Sequence, residues 1–139
     1  MKCPRCDANI TDDAEVCNFC GQDLDMIHYV RRISNAYYNM GLEKAQVRDL
    51  SGAVLVLKKS LEFHKYNTSA RNLLGLVYNE MGETVAALSE WVLSRYLQPE
   101  HNRAEYYINV IQRNQTALDA VNQTIKKYNS ALSAAKGGN

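Results

Sequence analysis

The four cysteines of this 139-residue chain all fall within its first 20 positions, as Cys3-Pro4-Arg5-Cys6 and Cys17-Asn18-Phe19-Cys20. A two-residue gap lets both thiolates of a tight turn face one ion. Two such turns supply the four sulfurs of a closed tetrahedral zinc site. Gly21 follows the second pair, where a positive φ ends the turn at no steric cost, and Asp7 occupies the matching place after the first. The intervening Ala8 to Val16 is long enough for a small hairpin. With four thiolates as ligands, no coordination position remains for water or substrate, so one structural Zn2+ on Cys3, Cys6, Cys17 and Cys20 is expected, holding shape and doing no chemistry.

Other cysteine chemistries suit the sequence less well. A redox dithiol of the thioredoxin kind sits once, at a strand-to-helix junction that this sequence lacks. Disulfides require an oxidising compartment, and no apolar signal region follows Met1-Lys2-Cys3. His28, His64 and His101 are isolated, with no acidic or serine partner at a catalytic spacing, and no glycine loop of phosphate-binding form occurs. No enzymatic activity is expected.

The ribbon segment must be positioned by something larger, since fewer than about 25 residues cannot bury a core that offsets chain entropy. Metal binding must supply the difference, on the order of 10 kcal/mol. Over the rest of the chain, self-comparison at an offset of 34 residues aligns Ala36 with Ala70, Gly41 with Gly75, Ala53 with Ala87 and Ser60 with Ser94. Each unit reads as two amphipathic helices. In the second unit, Leu73, Leu74, Val77, Tyr78 and Met81 recur at helical spacing, Gly82 breaks the run, and Thr84 to Leu97 carries Ala87, Leu88, Trp91 and Tyr96 before Pro99. From Arg103 to Lys136 there is neither Gly nor Pro. There Ile111, Leu118, Ile125 and Leu132 recur every seven residues, with Val121, Tyr128 and Ala135 at complementary steps.

The fold class expected is therefore mostly α: a zinc ribbon over 1–24, two helix-pair repeats within 25–101 (34–67 and 68–101), and a long helix over 102–139. The first half of that helix, with Tyr107, Ile108 and Ile111, is expected to cap the second repeat. Its remainder has three available uses: packing back on the repeats, pairing with a second copy as a homodimer, or opening a further repeat. The ending, Ala134 to Asn139, resembles the turn inside a repeat unit, which would make the chain a piece of a longer protein.

The start, M-K-C-P-R-C with C-N-F-C-G, resembles the short zinc ribbons at the N-termini of many bacterial proteins, with Asp7 as a departure where glycine is usual. The 34-residue unit resembles the tetratricopeptide repeat: Leu74-Gly75, Tyr78, Gly82, Ala87, Trp91 and Pro99 match well. The first unit is a weaker copy, with Lys44 and Lys65 where Tyr and Pro are usual. That resemblance implies an antiparallel helix-pair solenoid whose first helices line a concave groove. The groove positions would then be Asn35, Tyr38, Leu42, Ala45 and Gln46 in one unit, and Ser69, Asn72, Leu76, Asn79 and Glu80 in the next. Asparagine amides there suit an extended peptide backbone. The family's clamp for C-terminal carboxylates is not expected, because Tyr38, Leu42 and Ser69 stand where Lys and Arg would be needed.

Sixteen basic and fifteen acidic residues leave the chain near neutrality, and residues 1–27 carry Lys2 and Arg5 against six carboxylates, a net of −4. Nucleic-acid or ribosome association through the ribbon, the main alternative to a protein-binding scaffold, is disfavoured by that charge. No segment approaches the roughly 20 apolar residues of a membrane helix, and a cytoplasmic location is expected.

Overall fold

The computed structural model describes residues 1–137, so Gly138 and Asn139, on which the expected terminal turn partly falls, lie outside the described residues. The chain is mostly helical: α1 spans Asp25–Gln46, α2 Leu50–Phe63, α3 Thr68–Glu80, α4 Thr84–Leu97 and α5 Ala104–Gly137. Each helix packs on the next, and α1 also touches α3. Within the pairs α1/α2 and α3/α4 the turns are short, which returns the chain antiparallel.

Local chemistry marks the ends. Asp49 accepts from the Gly52 N–H at 3.1 Å and Asn67 from the Ala70 N–H at 3.1 Å, so α2 and α3 begin with side-chain caps. The turns inside the pairs need one left-handed residue each. Gly82 takes φ 81° in the second and Arg48, 34 positions earlier, takes φ 60° in the first.

The core repeats with the same period. Ala53 and Leu57 of α2 pack with Ala70, Leu74 and Val77 of α3; Ala87 and Trp91 of α4 pack with Ala104 and Ile108 of α5, joined by Ile111 and Tyr107. In α1 the positions matching Ala70, Leu74 and Val77 are Ala36, Met40 and Glu43, and all three are exposed, because no helix pair precedes α1. Tyr96, one of the expected apolar positions of α4, is 80% exposed on the outer side.

Two glycines set the spacing within the pairs. A Cβ at Gly41 would lie 2.6 Å from Leu57 Cγ, and one at Gly75 would lie 2.6 Å from Trp91 Cε2. The indole is held in place, since its Nε1 donates to the Asn72 carbonyl at 3.1 Å and its ring lies against Tyr107, centroids 5.3 Å apart. Leu57 has no such tether.

A buried polar network joins the two helices of the first pair to each other and, through Asn67, to the start of α3. Ser34 Oγ donates to the Ser60 carbonyl at 2.8 Å, Ser60 Oγ donates to the Ser34 carbonyl at 2.7 Å, and Asn67 Nδ2 donates to Ser34 Oγ at 3.0 Å. At the start of α5 Asn102 Nδ2 donates to Ser94 Oγ at 2.9 Å and to the Ser94 carbonyl at 3.1 Å, while its Oδ1 accepts from the Ala104 N–H at 3.0 Å.

Gly75→Ala is expected to cost about 1–3 kcal/mol, since overpacking against a fixed indole outweighs the better helix propensity of alanine. Gly41→Ala should cost less, because Leu57 can change rotamer. Urea denaturation followed by Trp91 fluorescence measures both, and equal costs would contradict the difference in tethering.

Candidate metal centre and helical groove

The N-terminal segment is built as two copies of one turn, 14 residues apart. In the first, Cys3 N–H donates to the Ala8 carbonyl and Asp7 N–H to the Cys3 carbonyl, both at 2.9 Å; in the second, Cys17 N–H donates to Gln22 and Gly21 N–H to Cys17, both at 2.8 Å. Asp7 has φ 59° and Gly21 φ 73°. Aspartate thus adopts the left-handed conformation that the turn requires, with its carboxylate 3.3 Å from Lys2 Nζ. Isolated antiparallel bridges, Lys2 with Asn9 and Val16 with Asp23, flank each turn. The backbone pairing therefore closes around each cysteine pair, and no hairpin strands occur between the pairs among the described residues.

This duplication brings the four sulfurs together. All lie within 4.8 Å of one another, with Cys3 Sγ 3.6 Å from Cys20 Sγ and Cys6 Sγ 3.7 Å from Cys17 Sγ. A tetrahedral ion with metal–sulfur bonds of about 2.3 Å requires sulfur–sulfur edges of about 3.8 Å, so the donor set fits a metal ion of that size. The thiols are also unequal. The Cys6 backbone N–H lowers Cys3 to about 6 against the opposing effect of burial, and the Cys20 N–H lowers Cys17 in the same way. Cys6 is pushed up to about 12: the Ala8 N–H favours its thiolate, but burial and the three neighbouring sulfurs together prevail. Backbone amides thus already favour negative sulfur at the two buried positions, the electrostatic requirement of a cation site.

The four-cysteine cluster is fastened to α1. Leu24, fully buried, joins Cys3, Ile10 and Cys17 in one apolar cluster that also takes in Met1 and Ile27. His28 Nε2 donates to the Ala14 carbonyl at 2.7 Å. The amino terminus donates to the Ile10 carbonyl and to Asp12 Oδ1, both at 3.0 Å, and this hydrogen bond and the positive charge hold the Asp12 carboxyl below its ordinary value.

A cavity of about 960 Å³ separates the Asp12–Glu15 rim from Arg31, Arg32 and Asn35 of α1 and reaches Thr68 and Gln98. A second, of about 360 Å³, follows the first helices and shares Thr68 and Gln98 with it. Tyr38 and Leu42 of α1 and Ser69, Asn72 and Leu76 of α3 line this second cavity, so five of the groove positions singled out from the sequence converge there, while Asn35 lines the larger one. Gln46, Asn79 and Glu80 are exposed at the far ends of α1 and α3 and line neither; Glu80 lies 3.3 Å from Arg48.

Asn72 has a structural occupation. Its Nδ2 donates to Asn102 Oδ1 at 2.7 Å, which ties α3 to the start of α5, and its Oδ1 is buried without a hydrogen-bond partner. Arg103, just before α5, and Tyr107 within it also line the groove and were not among the groove positions expected from the sequence, which gave Tyr107 only as part of the cap on the second repeat. The signal that would have found them is one further step of 34 residues, which carries Ser69 to Arg103, Ala70 to Ala104 and Leu73 to Tyr107.

No protein-family model and no curated protein matches this chain.

One metal ion per chain is the expected stoichiometry by elemental analysis of purified protein, with Cys17→Ser losing it while the far-UV helical signal is retained. Because protons compete for the same sulfurs, the ion should be released as pH falls. Chelation should open residues 1–24 to protease and leave α2–α5 protected; loss of the whole helical signal on chelation would contradict separate stabilisation of the two parts.

Proposed function

We propose that this chain is a non-catalytic protein-interaction scaffold: a tetratricopeptide-like helical array stapled at its N-terminus by one structural zinc ion, which binds an extended peptide along its concave side. The observation that carries the reading is the groove itself. The helices α1 and α3 contribute to it at corresponding places, Tyr38 with Asn72 and Leu42 with Leu76, and Arg103 and Tyr107 at the start of α5 match Ser69 and Leu73 of α3 in the same way. The walls mix Tyr38, Leu42, Leu73, Leu76 and Tyr107 with polar groups such as Thr68, Ser69 and Gln98, which suits a peptide that presents both side chains and backbone amides to the groove.

Zinc is favoured as the ion by four thiolates at tetrahedral spacing with no open position, a donor set that serves shape and not reaction. In this reading the ribbon extends the groove. Its Asp13 and Glu15 form the outer wall of the larger cavity opposite Arg31 and Arg32, so a peptide leaving the repeats would pass between walls of opposite charge. Asn72 acts as a strut between α3 and α5, and the direct contacts to the peptide fall to Tyr38, Leu42, Leu76 and Arg103.

Peptides selected from a random library on the zinc-loaded chain should shift the resonances of Tyr38, Leu42, Leu76 and Tyr107. Leu42→Glu/Leu76→Glu should weaken their binding at least tenfold, about 1.4 kcal/mol, with the helical signal unchanged. Asn72→Ala should instead lower stability. In a lysate pull-down, partners that survive nuclease and vanish with the groove variant support the scaffold. Nuclease-sensitive recovery that vanishes only with Cys17→Ser would overturn it.

A further inference from the structure

The second half of α5 is a helix with nothing against it. Every residue from Gln112 to Gly137 is exposed, and at about 1.5 Å per residue this length reaches about 40 Å beyond the repeats. Leu118, Val121, Ile125, Tyr128 and Leu132 are 42% to 64% exposed along it. Five alanines and other good helix formers favour the helix locally, but most helical stability in proteins comes from packing an apolar face, and this face has no such packing within the chain among the described residues. The stripe therefore has to be covered.

Its pattern says by what. Ile111, Leu118, Ile125 and Leu132 fall at the a positions of four successive heptads, and Asn114, Val121, Tyr128 and Ala135 at d. This 3.5-residue period is that of two helices wound around each other. The flanks agree: Ala117, Thr124 and Ala131 at g are small, and Gln115, Asn122 and Asn129 at e are uncharged. Arg113, Asp119, Lys126 and Lys127 fall at b and c, off the seam. A copy of the same helix therefore meets no like charge across the contact. With side chains of this size each removing on the order of 100 Å² when fully covered, two such half-exposed stripes with their alanine and threonine flanks bury roughly 1,200 Å², the lower end for a specific stable interface.

We propose that this face is the dimer interface of the protein, and that its occupant is α5 of a second copy, forming a two-stranded coiled coil from Asn114 to Ala135, just beyond Ile111, which packs on the folded body. Asn114 is the one polar seam residue at d and sits in the first heptad, next to the folded body, where it sets register at some cost in stability. The dimer carries two grooves and two metal centres on one stalk.

Analytical ultracentrifugation of the full zinc-loaded chain across the micromolar range tests this. Wild type should sediment at twice the 15.7 kDa of one chain. Val121→Glu/Ile125→Glu should raise the dissociation constant at least tenfold and lower the far-UV helical signal, with the fluorescence of Trp91 unchanged, so that loss of the coil is distinguished from loss of the fold. Gln123→Glu/Ser130→Glu, on the opposite face, should change neither mass nor helicity. A wild-type monomer at every concentration overturns the proposal, including one whose helical signal rises only with anionic vesicles. So does a dimer that Val121→Glu/Ile125→Glu leaves intact, or an assembly larger than two.

Discussion

How near two helix backbones can come decides the geometry of this molecule. Gly41 faces Leu57 and Gly75 faces Trp91 at distances that leave no room for a Cβ, so each pair closes until the large side chain of its second helix lies against the bare backbone of its first. Leu57 and Trp91 are then essentially buried, and each pair offers its apolar side to the first helix of the next. Separate the helices by one methyl group and the indole loses the position from which it packs on Tyr107 and bonds to Asn72. Packing in interiors tolerates little void, which is why a residue with no side chain carries so much of the arrangement.

Apolar packing is not specific enough to fix how each helix sits on the next, and here polar groups do that work, within the first pair and at the starts of α3 and α5. Ser34 and Ser60 exchange hydrogen bonds to each other's carbonyls in a fully buried place, and Asn67 joins them while capping α3. Asn102 repeats the device with Ser94 while capping α5. A buried hydroxyl that loses its partner keeps its desolvation penalty, so these networks disfavour slipped or rotated stackings more strongly than they stabilise the correct one. The groove inherits its shape from them.

At the N-terminus the balance is different. Residues 1–24 bury Cys3, Ile10, Cys17 and Leu24 and little else, and two of those four are thiols of a cluster that could hold an ion. Backbone amides directed at Cys3 and Cys17 lower the cost of negative sulfur before any metal arrives. The contacts of Met1, Ile27 and His28 then transmit that local order to the first turns of α1.

The sequence by itself determined what depends on near neighbours and on period. The C-x-x-C spacing implied four converging thiolates, and their sulfurs do converge; helical periodicity and glycine breaks implied the helix pairs; the 34-residue offset implied that Gly41 and Gly75 are equivalent. The heptad over Ile111 to Leu132 was legible too, and from Leu118 on it stands exposed along one helix. Only the tertiary structure decided which polar residues are free. Asn35 and Asn72 looked alike in sequence, yet Asn72 is committed to Asn102, 30 residues on, whereas Asn35 accepts from Asn67 at 3.3 Å and still faces a cavity. Side-chain partners brought together by packing leave no periodic trace, because they depend on where each helix comes to rest against the last.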